Sequence, residues 1–544
     1  MKTISKYLLL AALCSLLHYN LSAQWTEYPL TVSPQMERQA EVHIANNDKG
    51  DTYIFWENWS VSSGDNKVSL RLQHYDKNGN ALFQNGGIVV SESYKNFMEY
   101  LSSDINLVVN KNGEAIVTFL KVTANTQIAY AHKYDANGTN VWSSTELCYY
   151  IDNQFQSGVS IALTTNENVA YAIPTLNDMH INMLLPDGTK KLTEDIVILG
   201  VNMHPQVVSG LNGSFYVVYQ MTDKIFADHY DSNCEIIENA KYIGNEIGET
   251  IIDISAKPDG KGGVVVMWNN GKINVQRIDI DNVKLFDEDA SLVTTTASIS
   301  NPVLAVDEKN ATIYVAYHSK NTADNTIQLQ RIDSIGVKQF GNKGISIDTT
   351  TKAIDNAPFA LVVCDDSKLL VFANKRNPNT QVYELAMAKF LEDGMMQEGF
   401  TALAKANSER SSIVTTNFFN NQVVVAWSDK TANETVVKSQ NISYYGVLGA
   451  GAGEVGIAEY NANSNLYPSI LSANESLSIS LNAEQPQNTQ VQVFDILGNV
   501  RLSKMAQLIA GQNVITLSVN LPVGMYSVRM LVDGNFVAHS FIVK

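Results

Sequence analysis

The chain has 544 residues, too many for one compact core, so it must hold several domains or one large repeat fold. Its formal net charge of -17 makes a surface that repels phosphate backbones and anionic lipid, which excludes nucleic acid as an expected partner. Apolar residues at 45% against charged residues at 17% fit a well-folded β-rich protein and not a disordered one. In chain order, residues 1–23 come first: a basic start at Lys2 and Lys6, an apolar stretch from Tyr7 to Leu17, then small residues before a cut between Ala23 and Gln24. This pattern predicts a secretory signal peptide. Cys14 invites a lipoprotein reading, but Leu13 directly before it is a poor match for the small residue lipidation needs. No later segment has 18 or more consecutive apolar residues, so no transmembrane segment is expected in the mature chain.

The middle of the chain repeats itself. An apolar pair, an Asp and a turn recur as LQHYDKNGNALF, AHKYDANGTNVW, MLLPDGTKKL, ADHYDSNCEII, VQRIDIDNVKLF, LQRIDSIGVKQF, AKFLEDGMMQ and QNISYYGVLG. The marker positions are Asp76, Asp135, Leu185, Asp231, Asp279, Asp333, Leu391 and Ser443, spaced by about 52 residues. Ahead of each marker runs an apolar strand such as TYIFW, FYVVY, VVVMW or IYVAY. Before that comes another strand with a tight turn, as in INLVVNKNGE, and a fourth apolar piece such as GGIVVS follows the marker. Four antiparallel strands per unit with no helical period predict an all-β fold, an eight-bladed β-propeller over residues 24–460, with seven blades the alternative. YPLTVS at 28–33 resembles GIVVS at 87–91 and is the candidate closing strand; EVGIAEY at 454–460 competes for the same slot.

From residue 461 the texture changes to a linker and a strand-rich tail without the repeat period, which predicts a separate sandwich with turns at Leu497 to Asn499 and Asp533 to Asn535. The tail carries Tyr467-Pro468, then VxVFDxxGN with Asp495 and Gly498, then LPxGMYSV with Leu521, Gly524 and Tyr526, and it closes on FIVK at Lys544. In these residues it resembles the type A C-terminal sorting domain of the type IX secretion system of the Bacteroidetes. One departure is Ser469-Ile470, where the family usually has Asn-Pro. The resemblance implies a seven-stranded Ig-like sandwich, delivery through the outer membrane to the cell surface or beyond, and as partners the type IX translocon and a sortase-like peptidase. The segment GVLGAGAGEVGIAEYNANSN reads as the linker in which removal would occur.

Chemistry is harder to find. No HExxH, GxSxG or phosphate-binding loop occurs, and the GxGxG of Gly449, Gly451 and Gly453 has no following helix or lysine. His74 and His229 fall at the repeat position held by Lys133, Arg277, Arg331 and Lys389, which points to structural pairing with a neighbouring carboxylate. Sialidase chemistry is disfavoured: the arginines Arg38, Arg71, Arg277, Arg331, Arg376 and Arg410 are few, and no SxDxGxTW box occurs. No catalytic residue and no metal ligand set is therefore assigned. Cys148, Cys234 and Cys364 show no CxxC or Cys/His spacing, and Cys234 falls where other copies carry Gly or Asn in a turn. No cofactor is expected, although calcium stays open at Asp279, Asp281, Asp287 and Asp289, which do not complete a DxDxDG loop. Aromatic residues gather in connections that a propeller places on one face: Trp59, Tyr94, Phe97, Tyr100, Tyr149, Tyr150 and Phe155. They predict binding of a glycan or protein ligand. A polysaccharide hydrolase or lyase with a carboxylate pair, and an accessory component of the secretion machinery, are the competing readings.

Overall fold

The computed structural model describes Trp25 to Lys544 apart from residues 26–27, 34–37, 61–66, 95–98, 102–104, 124–125, 143–144, 152–157, 245–247, 287–290, 294–297, 321–324, 343, 348–358, 366, 377–382, 407–409, 431–433, 445, 450–463, 473–474, 484, 496–499 and 533–534. The expected signal peptide, the segment 454–460 and most of the proposed linker lie outside the described residues, as does the expected domain boundary at 460/461. Two compact units divide between Gly449 and Ala450.

The first unit is a succession of antiparallel meanders spanning 38–94, 99–151, 160–199, 201–244, 253–293, 298–346, 359–406 and 410–443. Strands pair in sequence order within each meander, except that in the second both Glu99–Leu101 and Asn106–Val109 pair with Ala115–Thr123, so each meander is one blade. Among the described residues the eighth supplies three strands of its own, Arg410–Thr415, Gln422–Lys430 and Thr435–Ser443. Its fourth place is filled by Leu30–Thr31, which pairs antiparallel with Ser439 and Lys438 and continues through Val32 N donating to Val437 O at 3.0 Å. The N-terminal strand thus closes the ring, as the likeness of YPLTVS to GIVVS predicts.

Period-two alternation in the second strand of each blade explains why the blades adhere. In Thr52–Trp59, the side chains of Tyr53 and Phe55 enter a core shared with the next blade, together with Val117 and Phe119. Ile54 and Trp56 point the other way, into a core shared with Val424, Ala426 and Val437 of the eighth. All four are fully buried, and neither sheet face could be left in water without losing roughly 1.5 to 3 kcal/mol per such side chain. Eight inter-blade cores follow one another in this way, and the last joins blade eight back to blade one. A closed circuit of cores is what makes the eight sheets a propeller.

The repeated Asp is a turn residue. Asp76 Oδ1 accepts the backbone N–H groups of Asn78 and Asn80 at 2.9 and 2.8 Å, and Asp135, Asp231, Asp279 and Asp333 repeat the pattern. Where the marker is Leu185 or Leu391 the backbone turn is unchanged, and Asp187 or Asp393 two residues on accepts instead. Three residues after the marker the chain needs positive φ. Gly188 there sits against the preceding blade, and a Cβ would lie 2.7 Å from the Trp142 indole. Cys234 occupies the same turn position at φ 64 because the corresponding preceding side chain is Leu192, which packs with it in one core. Asn282, at φ 62, fills the position one blade later.

Two further devices tie several blades to the next. Tyr53, Tyr216 and Tyr314 donate their hydroxyls to the turn carbonyls of Gly113, Gly262 and Ser367 one blade on, at 2.6, 3.2 and 3.4 Å. In four blades the residue two before the marker reaches the next blade's marker turn: His74 to Ala136 O at 3.1 Å, Lys133 to Pro186 O at 2.8 Å, Arg277 to Ser334 O at 2.9 Å and Arg331 to Asp393 O at 2.6 Å. Two of the charged members also take a carboxylate, Lys133 with Glu114 at 3.1 Å and Arg277 with Asp259 at 2.9 Å. Of the two histidines, His74 keeps the expected carboxylate neighbour and His229 meets an amide instead. Burial pushes both below the ordinary histidine range, so as neutral rings stacked 4.0 Å from Tyr53 and Tyr216 they need no counter-charge. His74 is 3.9 Å from Asp51, and His229 Nδ1 lies 3.1 Å from Asn282 Oδ1. Arg277→Met is expected to cost about 3 to 5 kcal/mol, because it strands the fully buried Asp259 carboxylate; chemical denaturation checks it, and a loss under 1 kcal/mol would show the latch to be dispensable.

The second unit is a two-sheet sandwich. One sheet holds Asn465–Tyr467, Ser476–Ala483 and Gly511–Ser518; the other orders Ile470–Leu471, Asn535–Val543, Gly524–Val532, Gln487–Asp495 and Val500–Leu508. Ile470–Leu471 runs parallel to the last strand, and the inward residues of both sheets, among them Leu477, Ile479, Val491, Val493, Val528 and Phe541, form one core. It is the Ig-like arrangement the resemblance implies, with eight strands in place of seven because the entry is split between the sheets, Asn465–Tyr467 in one and Ile470–Leu471 in the other.

Candidate functional site

In a four-stranded meander, the turns after the first and third strands share one end of the blade, while the hairpin after the second strand and the crossing to the next blade share the other. The first end is sealed by the marker turns and inter-blade latches. The second end carries the variable connections, and the sequence-chosen aromatic residues fall there on two adjacent blades.

On blade one, Trp59 ends the second strand and pairs with Val68 and Arg38, while Tyr94 ends the fourth and pairs with Lys67 at the same edge. Lys67 is tethered to Glu92 at 2.6 Å. On blade two, Tyr100 pairs with Val122 at the end of the second strand, and Tyr149 and Tyr150 pair with Ile128 and Gln127 at the start of the third. The fold therefore brings Trp59, Tyr94, Tyr100, Tyr149 and Tyr150 to one end of blades one and two. Phe97 and Phe155 lie outside the described residues, in the same crossings. Trp59 is half-buried.

At the acidic segment considered for calcium, Asp279 Oδ1 is occupied by the N–H groups of Asp281 and Val283 as a turn acceptor, and Asp287 and Asp289 lie outside the described residues.

One cluster has no local signal in the sequence. Cys148 on the fourth strand of blade two meets His180 and Asp195 of blade three, and a donor atom of each lies within 4.8 Å of the other two. Their separations of 32 and 15 residues match no ligand motif; only the packing of one blade on the next unites them. Asp195 is held firmly: its Oδ1 accepts from Asn182 Nδ2 at 2.8 Å, Lys190 Nζ at 3.2 Å and Tyr171 OH at 3.3 Å. Burial by itself would raise its pKa, but His180, Asn182 and Lys190 outweigh that and bring it down to about 2. Asp195 is accordingly a carboxylate at any physiological pH. Lys190 also donates to Leu147 O of blade two, beside Cys148.

In the sandwich, Asp495 pairs with Arg501 at 2.7 Å, Tyr526 OH donates to Pro522 O at 2.8 Å, and Lys544 N donates to Leu471 O at 2.8 Å. Gly524 opens the strand that carries Tyr526, and Leu521 packs against the core. The Tyr467-Pro468 peptide is cis, and Gly498 lies outside the described residues. The motif residues thus form turns, corners and strand entries rather than a pocket.

Residues 465–544 match the family described as the secretion system C-terminal sorting domain. No curated protein matches the chain in sequence. Among solved structures, it is similar to a PL25 ulvan lyase bound to -[GlcA(1-4)Rha3S]-, at 10% identity and TM-score 0.40, covering 78% of this chain and 94% of that one. It is also similar to polysaccharide lyase Uly1 (10%, 0.39, 62% and 89%) and to Porphyromonas gingivalis dipeptidyl peptidase 4 (9%, 0.38, 84% and 65%). Likeness this loose transfers no activity. Among the described residues no helix is long and apolar enough to cross a membrane. The ring of blades and the matched tail together make the chain an exported β-propeller protein that carries a type IX secretion C-terminal sorting domain on residues 465–544 and is sent through the outer membrane to the cell surface or the extracellular space.

Proposed function

We propose that the propeller is a non-catalytic binding module that takes a glycan or protein ligand on the open end of blades one and two. The observation that carries this reading is the gathering of Trp59, Tyr94, Tyr100, Tyr149 and Tyr150 at one end of two neighbouring blades whose opposite end is closed by hydrogen-bonded turns. Aromatic rings stack on sugar faces and anchor protein contacts, and a rigid ring loses little entropy when they do so. For an exported protein, such a face would be turned to whatever the cell meets.

A glycan array combined with a polysaccharide hydrolysis screen on the processed chain tests this. Binding without turnover is expected, and Trp59→Ala with Tyr149→Ala should weaken it at least about tenfold, the loss of one or two anchoring contacts. Turnover of a polysaccharide would replace this reading with the hydrolase or lyase one. Binding untouched by both substitutions would move the site elsewhere on the ring.

A further inference from the structure

We propose that Cys148, His180 and Asp195 form a zinc site bridging blades two and three. The donor set is one thiolate, one imidazole and one carboxylate, the mixture that suits Zn²⁺, with three protein ligands and a fourth position left to water or a ligand. The distances fit. His180 Nδ1 and Asp195 Oδ2 are 3.6 Å apart, close to the roughly 3.4 Å at which two such atoms stand when they share a tetrahedral zinc. The thiol completes a triangle whose donors all lie within 4.8 Å, so closure onto an ion needs movements of about an ångström.

The surroundings fit as well. His180 Nε2 lies 3.3 Å from Asp178 Oδ1 while Nδ1 is the nitrogen on the Asp195 side, so Asp178 supplies the carboxylate that commonly orients a zinc-bound imidazole. Asp178 is itself held by Thr175, whose hydroxyl donates to the same Oδ1. Asp195 meets its hydrogen-bond donors, Asn182, Lys190 and Tyr171, on Oδ1 and presents Oδ2 to the imidazole. Lys190 offsets part of the ligand charge, so thiolate, carboxylate, lysine and Zn²⁺ leave the site close to a single positive charge. All three ligands are partly exposed, so an ion can enter from solvent.

Co²⁺ and Zn²⁺ added to the processed full-length protein, after chelation and under reducing conditions, test the site. One Co²⁺ per chain should bind with a thiolate-to-cobalt charge-transfer band in the near ultraviolet, and Zn²⁺ should displace it. Cys148→Ser should abolish the band, His180→Gln should weaken Zn²⁺ binding at least tenfold, and Asp178→Asn should weaken it about 10- to 100-fold while keeping the band. Cys234→Ser is the control and should change neither. A folded wild-type chain that gives no charge-transfer band overturns the proposal. So does Zn²⁺ binding of unchanged affinity in Cys148→Ser, which would mark the metal as adventitious.

Discussion

A chain that ends at Asn465 should be made, cross the inner membrane and accumulate in the periplasm, with none at the surface. The expected effect is near total, because Asn465 is where the sorting domain begins and every strand of its core but the first residue is then gone. The sandwich is one cooperative unit. Its last strand, Asn535–Val543, pairs along its full length with Gly524–Val532 and holds Ile470–Leu471 in parallel register, so even a short cut at the end removes a central strand of the larger sheet. Removing residues 535–544 should therefore be almost as severe as removing the whole tail. Cell fractionation and protease accessibility of intact cells give the readout. Normal surface display of the chain ending at Asn465 would show that the address lies elsewhere. A milder variant separates folding from recognition: Tyr526→Phe removes the hydroxyl that donates to Pro522 O but leaves the ring stacked 5.7 Å from Phe541. It should lower the sandwich's stability by about 1 kcal/mol and leave display intact.

How much of this was legible in the sequence depends on which residues the packing constrains. The second strands are readable because both faces are buried, which forces runs such as TYIFW and VVVMW with no polar interruption. The marker turns are readable because an Asx turn demands an Asp side chain and a residue at positive φ three positions on. Even its exceptions obey the physics: Leu185 and Leu391 pass the acceptor role to Asp187 and Asp393. A finer rule shows itself only once the blades are assembled. Phe83, Trp142, Phe286 and Phe340, each seven residues after a marker, lie against Gly138, Gly188, Gly336 and Gly394 of the following blade. Where the seventh residue is Leu192 or Glu238, the next turn carries Cys234 or Asn282 instead. Cys234 is thus a turn residue tolerated by a smaller neighbour, and burial pushes its thiol up to about 11, which makes it unreactive. Cys148 gives no such sign. Its partners come from another blade, His180 on the third strand and Asp195 just ahead of the fourth, and no period within the chain connects a fourth strand with those positions of the next repeat. The open-end aromatic residues stand between these cases: their placement on one end follows from the strand order, but what they bind does not.

Removing residues 24–34 from the processed chain should open the ring and destabilise the propeller by at least about 5 kcal/mol. The N-terminal segment does more than add one short strand. Trp25 stands five residues ahead of Leu30, as Phe83 stands five ahead of Ile88, and it lies against Gly79 of blade one as Phe83 lies against Gly138 of blade two. It therefore supplies the aromatic wedge and the fourth strand that the described residues of the eighth repeat do not provide after Ser443. The buried side chains of Trp25 and Val32 alone account for roughly 3 to 6 kcal/mol, and the edge of Thr435–Ser443 loses the partner that pairs with Ser439, Lys438 and Val437. That bare edge should also recruit other chains, so the shortened protein is expected to melt earlier and to self-associate on size-exclusion chromatography. A synthetic peptide of residues 24–34 offered in trans should raise the melting temperature again by occupying the vacant strand position. A deletion of residues 454–460, the rival for that position, should leave the melt in place because Leu30–Thr31 already fills it. The reverse outcome, an unchanged melt without residues 24–34 and a collapsed one without 454–460, would assign closure to the other end of the repeat.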